Sequence, residues 1–205
     1  MVTPNPEIVE ACRENAEAGT AVNGADLVLP DGIGILYGAK MLGTPIKERV
    51  PGIEFGTAML EHCAKTGRSV FLLGAKPGVA EQAAAKMRQR FPGLQIAGTG
   101  DGYFTDDAEA AERIRRSGAD MAFICLGAPK QELFMARRGA ETGARLLLGL
   151  GGALDVFAGV AKRAPDFFLR HNIEWSYRLL KNPWRIGRMM KLPLFLVHVA
   201  GTKKG

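Results

Sequence analysis

The sequence predicts an α/β chain built on a doubly wound, mainly parallel sheet, with a basic helical appendage at its C-terminal end. Three observations predict it. Short β-rich runs alternate with longer stretches of helical periodicity, the runs are apolar on both faces, and glycines gather where the runs end. A strand apolar on both faces must be covered on both, and helices between successive parallel strands supply that cover.

Taken in order, the strand candidates are DLVLP (26–30), SVFLLG (69–74), LQIAGTG (94–100), DMAFICLG (120–127) and ARLLLGLGG (144–152). Between them, 77–91 carries Val79, Ala83, Met87 and Phe91 at i, i+4 spacing, with Pro77 suited to a first turn and Pro92-Gly93 to a stop. The stretch 105–117 opens on Thr105-Asp106-Asp107, a cap with acids in the first turn, and stops at Gly118. Earlier, Thr3-Pro4-Asn5 precedes a helix starting near Pro6, and LPDGIGI leads into a helix over 33–42. This alternation is Rossmann-like. A composition shift at Arg163-Ala164-Pro165 divides the chain into a body, 1–163, and an appendage, 164–205.

With 205 residues, 47% apolar and 23% charged, the chain has material for one core and needs no disulfide or structural metal to hold it. Cys12, Cys63 and Cys125 are odd in number and scattered, so they read as small buried residues in a reducing compartment. His62, His171 and His198 are equally scattered and form no zinc pattern; the last two read as partly exposed tail residues. The start MVTPNPEIVE shows no export signal. The apolar run 192–200, broken by Pro193 and His198, falls short of the ~20 residues of a spanning helix. Residence in the cytosol is the expectation.

From Val160 onward ten Lys or Arg stand against two acids, a charge of +8, whereas 1–159 carries −2. Such a tail attracts polyanions. Its bases, Arg178, Lys181, Arg185, Arg188 and Lys191, are interleaved with Trp175, Tyr177, Trp184, Met189, Leu194 and Phe195. That mixture suits a helix lying in a membrane interface better than one docked on nucleic acid. The alternative is a terminal helix packing its apolar face on the body or on a partner subunit.

In an open parallel sheet, ligands collect beyond the carboxyl ends of the strands. Gly74, Gly98, Gly100, Gly102, Gly127, Gly149, Gly151 and Gly152 sit there, which fits nucleotide binding or merely tight turns; neither G-x-G-x-x-G nor a P-loop is present. Asp31, after a strand candidate and before a glycine, is placed either as a general base or as a helix cap. Thr3 and Asn5 are likewise a cap or a ligand clamp. Arg49 is a loop cation able to grip a phosphate or pair a structural acid. Lys130 and Gln131, in GAPKQE, offer polar groups at a helix start for a sugar hydroxyl or phosphate, or form an exposed first turn. No D-x-D occurs, the arrangement by which many sugar-nucleotide enzymes hold a divalent cation, so no metal is expected, and no other cofactor is expected either. If a nucleotide diphosphate leaves here, cations and backbone amides have to stabilise it.

LPDGIGI, KERVPG, GDGYF, LGAPKQE, GLGGALDVFAG, KRAP and EWSYRLLKNPWRIGRM stand in this order along the chain. Together they resemble the bacterial WecG/TagA/CpsF glycosyltransferase family over essentially the whole length. The resemblance implies transfer of N-acetylmannosamine, or a related hexosamine, from its UDP form to polyprenyl-diphosphate-linked N-acetylglucosamine. It implies inversion at the anomeric carbon without an obligatory metal, at the inner face of the cytoplasmic membrane, in cell-surface polysaccharide or teichoic acid synthesis. Carried over to this sequence, it makes Asp31 the general base. Thr3, Asn5, Arg49, Gly127, Gln131 and Gly151 become donor-pocket residues, Tyr103 a stacking partner for uracil and Asp155 a ribose contact. Arg178, Arg185 and Arg188, spaced seven and three apart, would share a helix face, cover the site and neutralise the diphosphate. Family members carry a further N-terminal segment before the Thr-Pro-Asn motif, so a sheet edge left unpaired is expected here. Two other classes stay open on the residues alone. One is a nucleotide-dependent oxidoreductase on the same fold, which lacks its glycine fingerprint; the other is a non-catalytic membrane- or polyanion-binding module. Self-association is also left open.

Overall fold

The computed structural model of the chain describes residues 1–165, 167–168, 176–177, 187 and 190–202. Four of the five runs are strands: β1 (Ser69–Gly74), β2 (Gln95–Gly100), β3 (Met121–Cys125) and β4 (Leu146–Gly149). They form one all-parallel sheet in the order β2-β1-β3-β4. Around and beside it lie α1 (Pro6–Glu14), α2 (Ala16–Asn23), α3 (Ile33–Met41), α4 (Gly52–Thr66), α5 (Val79–Arg90), α6 (Asp107–Ser117), α7 (Lys130–Arg138), α8 (Ala153–Phe157) and α9 (Lys191–Thr202).

The sheet is wound on both sides because its side chains alternate between two apolar layers. Val70, Leu72, Phe123 and Leu148 pack with Leu60 of α4, Ala83 and Met87 of α5 and Leu154 of α8. Phe71, Leu73, Ala122 and Ile124 face the other way, onto Ala110 and Ile114 of α6 and Phe134 of α7. Helix ends follow local chemistry. Asp106 caps α6 by accepting from the Ala108 N–H at 2.7 Å, and Gly118 closes it at φ 64°. α5 starts at Val79 rather than at Pro77, since a turn closed by the Val79 N–H on the Lys76 carbonyl precedes it.

The fifth run, 26–30, is not a strand. It makes a single parallel bridge, Val2 to Val28, while Met1 runs beside β4 through bonds to the Leu147 carbonyl and from the Gly149 N–H. The ladder resumes at the Asp31 N–H, which donates to the Pro4 carbonyl at 2.9 Å. The gap has a simple cause: the next donor on that side is Pro4, which has no N–H. The edge of β4 is thus covered by the first residues, and the outermost chain is 27–29, where Leu27 and Val28 are exposed.

α9 lies on the body. Its Leu192 and Phe195 press against Gly34 and Gly38 of α3, where an added Cβ would stand 2.5 Å and 2.7 Å from them. Phe195 and Val199 are buried. His198 Nδ1 lies 2.9 Å from the carboxylate of Glu10, itself 2% exposed, and Lys191 pairs with Glu14. For this stretch, packing on the body is what occurs, and His198, partly exposed as expected, is also the partner of a buried carboxylate. Both polar side chains of α9 that could be charged turn to α1, which leaves Leu194 and Val197 exposed on the outer face.

Candidate active site

Beyond the carboxyl ends of β3, β4 and the two extended segments beside them opens a cavity of about 300 Å³. Its walls bring together Thr3 and Asn5 after the first segment, Asp31 to Gly34 after the second, Arg49 and Pro51 to Ile53 before and within α4, Gly127 and Ala128 after β3, Gln131 on α7, and Leu150 to Ala153 after β4. Leu192 of α9 closes one side. Seven of the expected residues, Thr3, Asn5, Asp31, Arg49, Gly127, Gln131 and Gly151, line this one space.

Asp31 is held from three directions. Its own N–H binds the Pro4 carbonyl, the Val50 N–H binds the neighbouring Pro30 carbonyl at 2.8 Å, and its Oδ2 accepts from the Gly52 N–H at 3.4 Å. Its carboxylate does not cap α3, whose N-cap residue is Gly32 and which has no side-chain cap. The positive end of the α4 dipole faces it instead. Asn5 is a cap, one of the two readings the sequence allowed: its Oδ1 accepts from the Ile8 N–H at 2.9 Å, and the residue also lines the cavity. Thr3 is buried and donates its hydroxyl to the Gly149 carbonyl at 3.0 Å, a bond that ties the first segment to the turn after β4.

Gln131 is not part of an exposed first turn. It is 1% exposed, its Oε1 accepts from the Gly151 N–H at 2.9 Å, and its Nε2 donates to Glu132 Oε1 at 2.8 Å. Lys130 is engaged within the protein as well, since its ammonium donates to the Gly102 carbonyl and sits 4.1 Å from the Phe104 ring centroid. It thereby anchors the loop that carries Tyr103, a residue 66% exposed with its N–H bonded to Asp101 Oδ1. Tyr103 and Asp155 stand at the same edge of the sheet without lining the cavity; Asp155 is half-buried between the lining residues Ala153 and Val156. Gly98, expected among the ligand glycines, lies inside β2, where a Cβ would meet the Phe71 ring at 2.6 Å, so it serves packing. Arg178, Arg185 and Arg188 lie outside the described residues.

All three cysteines are free; Cys63 and Cys125 are buried as expected, whereas Cys12 is only half-buried, and burial pushes the Cys125 thiol up to about 12. Among the described residues no three His, Cys, Asp or Glu side chains gather as a metal site, and no helix is long and apolar enough to cross a membrane. Sequence reasoning missed Gly52, Leu192 and the buried Glu132. Glu132 was within reach: it is next to Gln131, which sits three residues before the buried Phe134 and so on its core-facing side.

The whole chain, residues 1–205, matches the model of the Glycosyl transferase WecG/TagA/CpsF family. It is 39% identical over 199 residues to an N-acetylglucosaminyldiphosphoundecaprenol N-acetyl-beta-D-mannosaminyltransferase of Bacillus spizizenii, covering 97% of this chain and 77% of the relative. Proteins of the same name from Bacillus subtilis and Staphylococcus aureus are each 35% identical, over 98% and 100% of this chain and 79% and 80% of theirs.

Proposed function

The chain belongs to the WecG/TagA/CpsF glycosyltransferase family, and we propose that it transfers N-acetylmannosamine, or a related hexosamine, from its UDP form to polyprenyl-diphosphate-linked N-acetylglucosamine. The observation that carries this reading is the convergence of Thr3, Asn5, Asp31, Arg49 and Gln131, far apart in sequence, on one cavity. A module that acts only through its tail has no use for such a space in its body.

In the proposed reaction Asp31 takes the proton of the acceptor hydroxyl as its oxygen attacks the anomeric carbon. The bond from that carbon to the UDP oxygen breaks, UDP leaves with the electron pair, and the configuration inverts. Thr3 and Asn5 hold the sugar, Tyr103 stacks on uracil and Asp155 accepts from the ribose. Arg49, joined by Arg178, Arg185 and Arg188, offsets the charge on the diphosphate, and no metal is assigned to the step. Association with the cytoplasmic membrane is part of the same reading. It is supported by the basic tail, by the exposed Leu194 and Val197 on α9, and by the exposed Tyr37, Leu42 and Ile46 on and after the adjoining α3.

Incubation with UDP-N-acetylmannosamine or UDP-N-acetylglucosamine and a short lipid-diphosphate acceptor, in EDTA, tests the reading through UDP release. Release that requires the acceptor and the first donor is the expected result. Release restored only by added divalent metal removes the metal-free mechanism, and no release with or without metal removes the reaction.

A further inference from the structure

Glu132 is the most buried acid beside the cavity that the reaction above does not use. It is 1% exposed, and its Oε2 has no hydrogen-bond partner among the described residues. Its Oε1 accepts from Gln131 Nε2, and Gln131 Oε1 in turn accepts from the Gly151 N–H. Gly151 has φ 55° and lies in the turn Leu150 to Ala153 that forms one wall of the cavity. The two bonds fit only one orientation of the Gln131 amide, because the Gly151 N–H requires an oxygen and Glu132 Oε1 here receives an N–H.

We propose that Glu132 is a positioning residue: by accepting from Gln131 it fixes that side chain so that its oxygen pins the Gly151 turn in the shape that holds the donor nucleotide. The nucleotide part rests on the sugar-transfer reading; the pinning does not. The chain of contacts explains why a carboxyl group is kept in a core position that an apolar side chain would fill at lower desolvation cost. It also explains why Gln131, both of whose amide ends are engaged within the protein, shapes the pocket rather than serving as its most accessible polar group. Burial holds the Glu132 carboxyl above the usual glutamate range, which favours the neutral form that an amide can imitate.

The test is amide hydrogen exchange at Gly151, read by NMR on the full chain, with UDP affinity measured alongside. Glu132→Leu should raise the Gly151 exchange rate by about tenfold or more while the amides of β1 keep theirs, and Glu132→Gln should restore the wild-type rate. Glu132→Met is the second removal variant should the leucine chain not fold. UDP binding should weaken about fivefold or more in the removal variant, and that loss should vanish when Gln131→Leu is already present, since the two residues act as one unit. An unchanged Gly151 rate on removal of the carboxyl overturns the proposal. So does a Glu132→Gln chain as impaired as the removal variant, or losses at 131 and 132 that simply add. If the wild-type chain binds no UDP, the sugar-transfer reading fails, and the Gly151 rates still decide the role of Glu132.

Discussion

The Asp31 carboxylate and the Gly52 backbone N–H face each other at 3.4 Å, which joins the turn after the outermost extended segment to the first residue of α4. An asparagine in place of Asp31 keeps an oxygen to accept that bond but cannot take a proton. Asp31→Asn is therefore expected to fold with an unchanged unfolding midpoint and to bind UDP as before, with transfer reduced about 10²- to 10⁴-fold. Turnover near the wild-type rate would remove Asp31 as the base.

The seating of α9 gives a steric prediction. At Gly38 a Cβ would come within 2.7 Å of the Phe195 ring, so Gly38→Val forces the helix off its seat or distorts it, at a cost of about 1–3 kcal/mol. Calorimetry should show a lower unfolding midpoint, and limited proteolysis should cut within 191–202 faster. Gly201→Ala, where no described residue lies within 4 Å of an added Cβ, is the control and should neither lower the midpoint nor speed the cut.

His198 and Glu10 should behave as a coupled pair. With His198→Ala the buried Glu10 carboxylate loses its nearest described partner, leaving among the described residues the Arg13 guanidinium at 3.9 Å and the more distant charge of Lys191, and stability should fall by about 1–3 kcal/mol. Glu10→Leu together with His198→Ala should cost less than the two single changes added, because no orphaned charge remains. Additive losses in denaturant unfolding would show that the pair is not coupled.

The sheet was readable because β1, β3 and β4 are apolar on both faces and all four strands are bounded by glycine turns, and most of the cavity wall was readable because its residues lie in motifs at those turns. Where the sequence misled or left two readings open, a tertiary partner decided the matter. The run 26–30 has strand composition but meets Pro4, which breaks its ladder. Asp31 has the position of a cap but turns to α4, and Gln131 has the position of an exposed first turn but is drawn inside by Gly151 and Glu132. α9 shows why amphipathic pattern alone could not choose its surroundings: Leu192, Phe195 and Val199 need a partner, and the notch that accepts them consists of two glycines whose role is visible only once α3 and α9 meet.

The loop after β2 should matter for nucleotide affinity although it does not line the cavity. Removal of the exposed Tyr103 ring, as Tyr103→Ala, is expected to weaken UDP binding by about 1–3 kcal/mol, the range for a base stacked on an aromatic ring. Lys130→Ala should act in the same direction, since its ammonium holds the Gly102 carbonyl beside that ring. Titration calorimetry with UDP reads both, and an unchanged affinity in Tyr103→Ala would place the base elsewhere.

Glu132 also makes a pH prediction whose sign follows from its surroundings. Burial raises its carboxyl pKa, and the bond from Gln131 opposes that only in part. In the unfolded chain the carboxyl ionises in the ordinary glutamate range. The folded state therefore binds the proton more tightly. Its advantage is complete below the ordinary range and is lost as pH rises toward the raised value. Glu132→Gln carries no such proton, so its unfolding midpoint relative to wild type should shift upward as pH rises from the ordinary glutamate range toward the raised value, at up to about 1.4 kcal/mol per unit of pKa difference. A constant offset across that range, or a shift in favour of wild type, would mean that Glu132 is ionised in the folded chain and that a charge, not a neutral acceptor, faces Gln131.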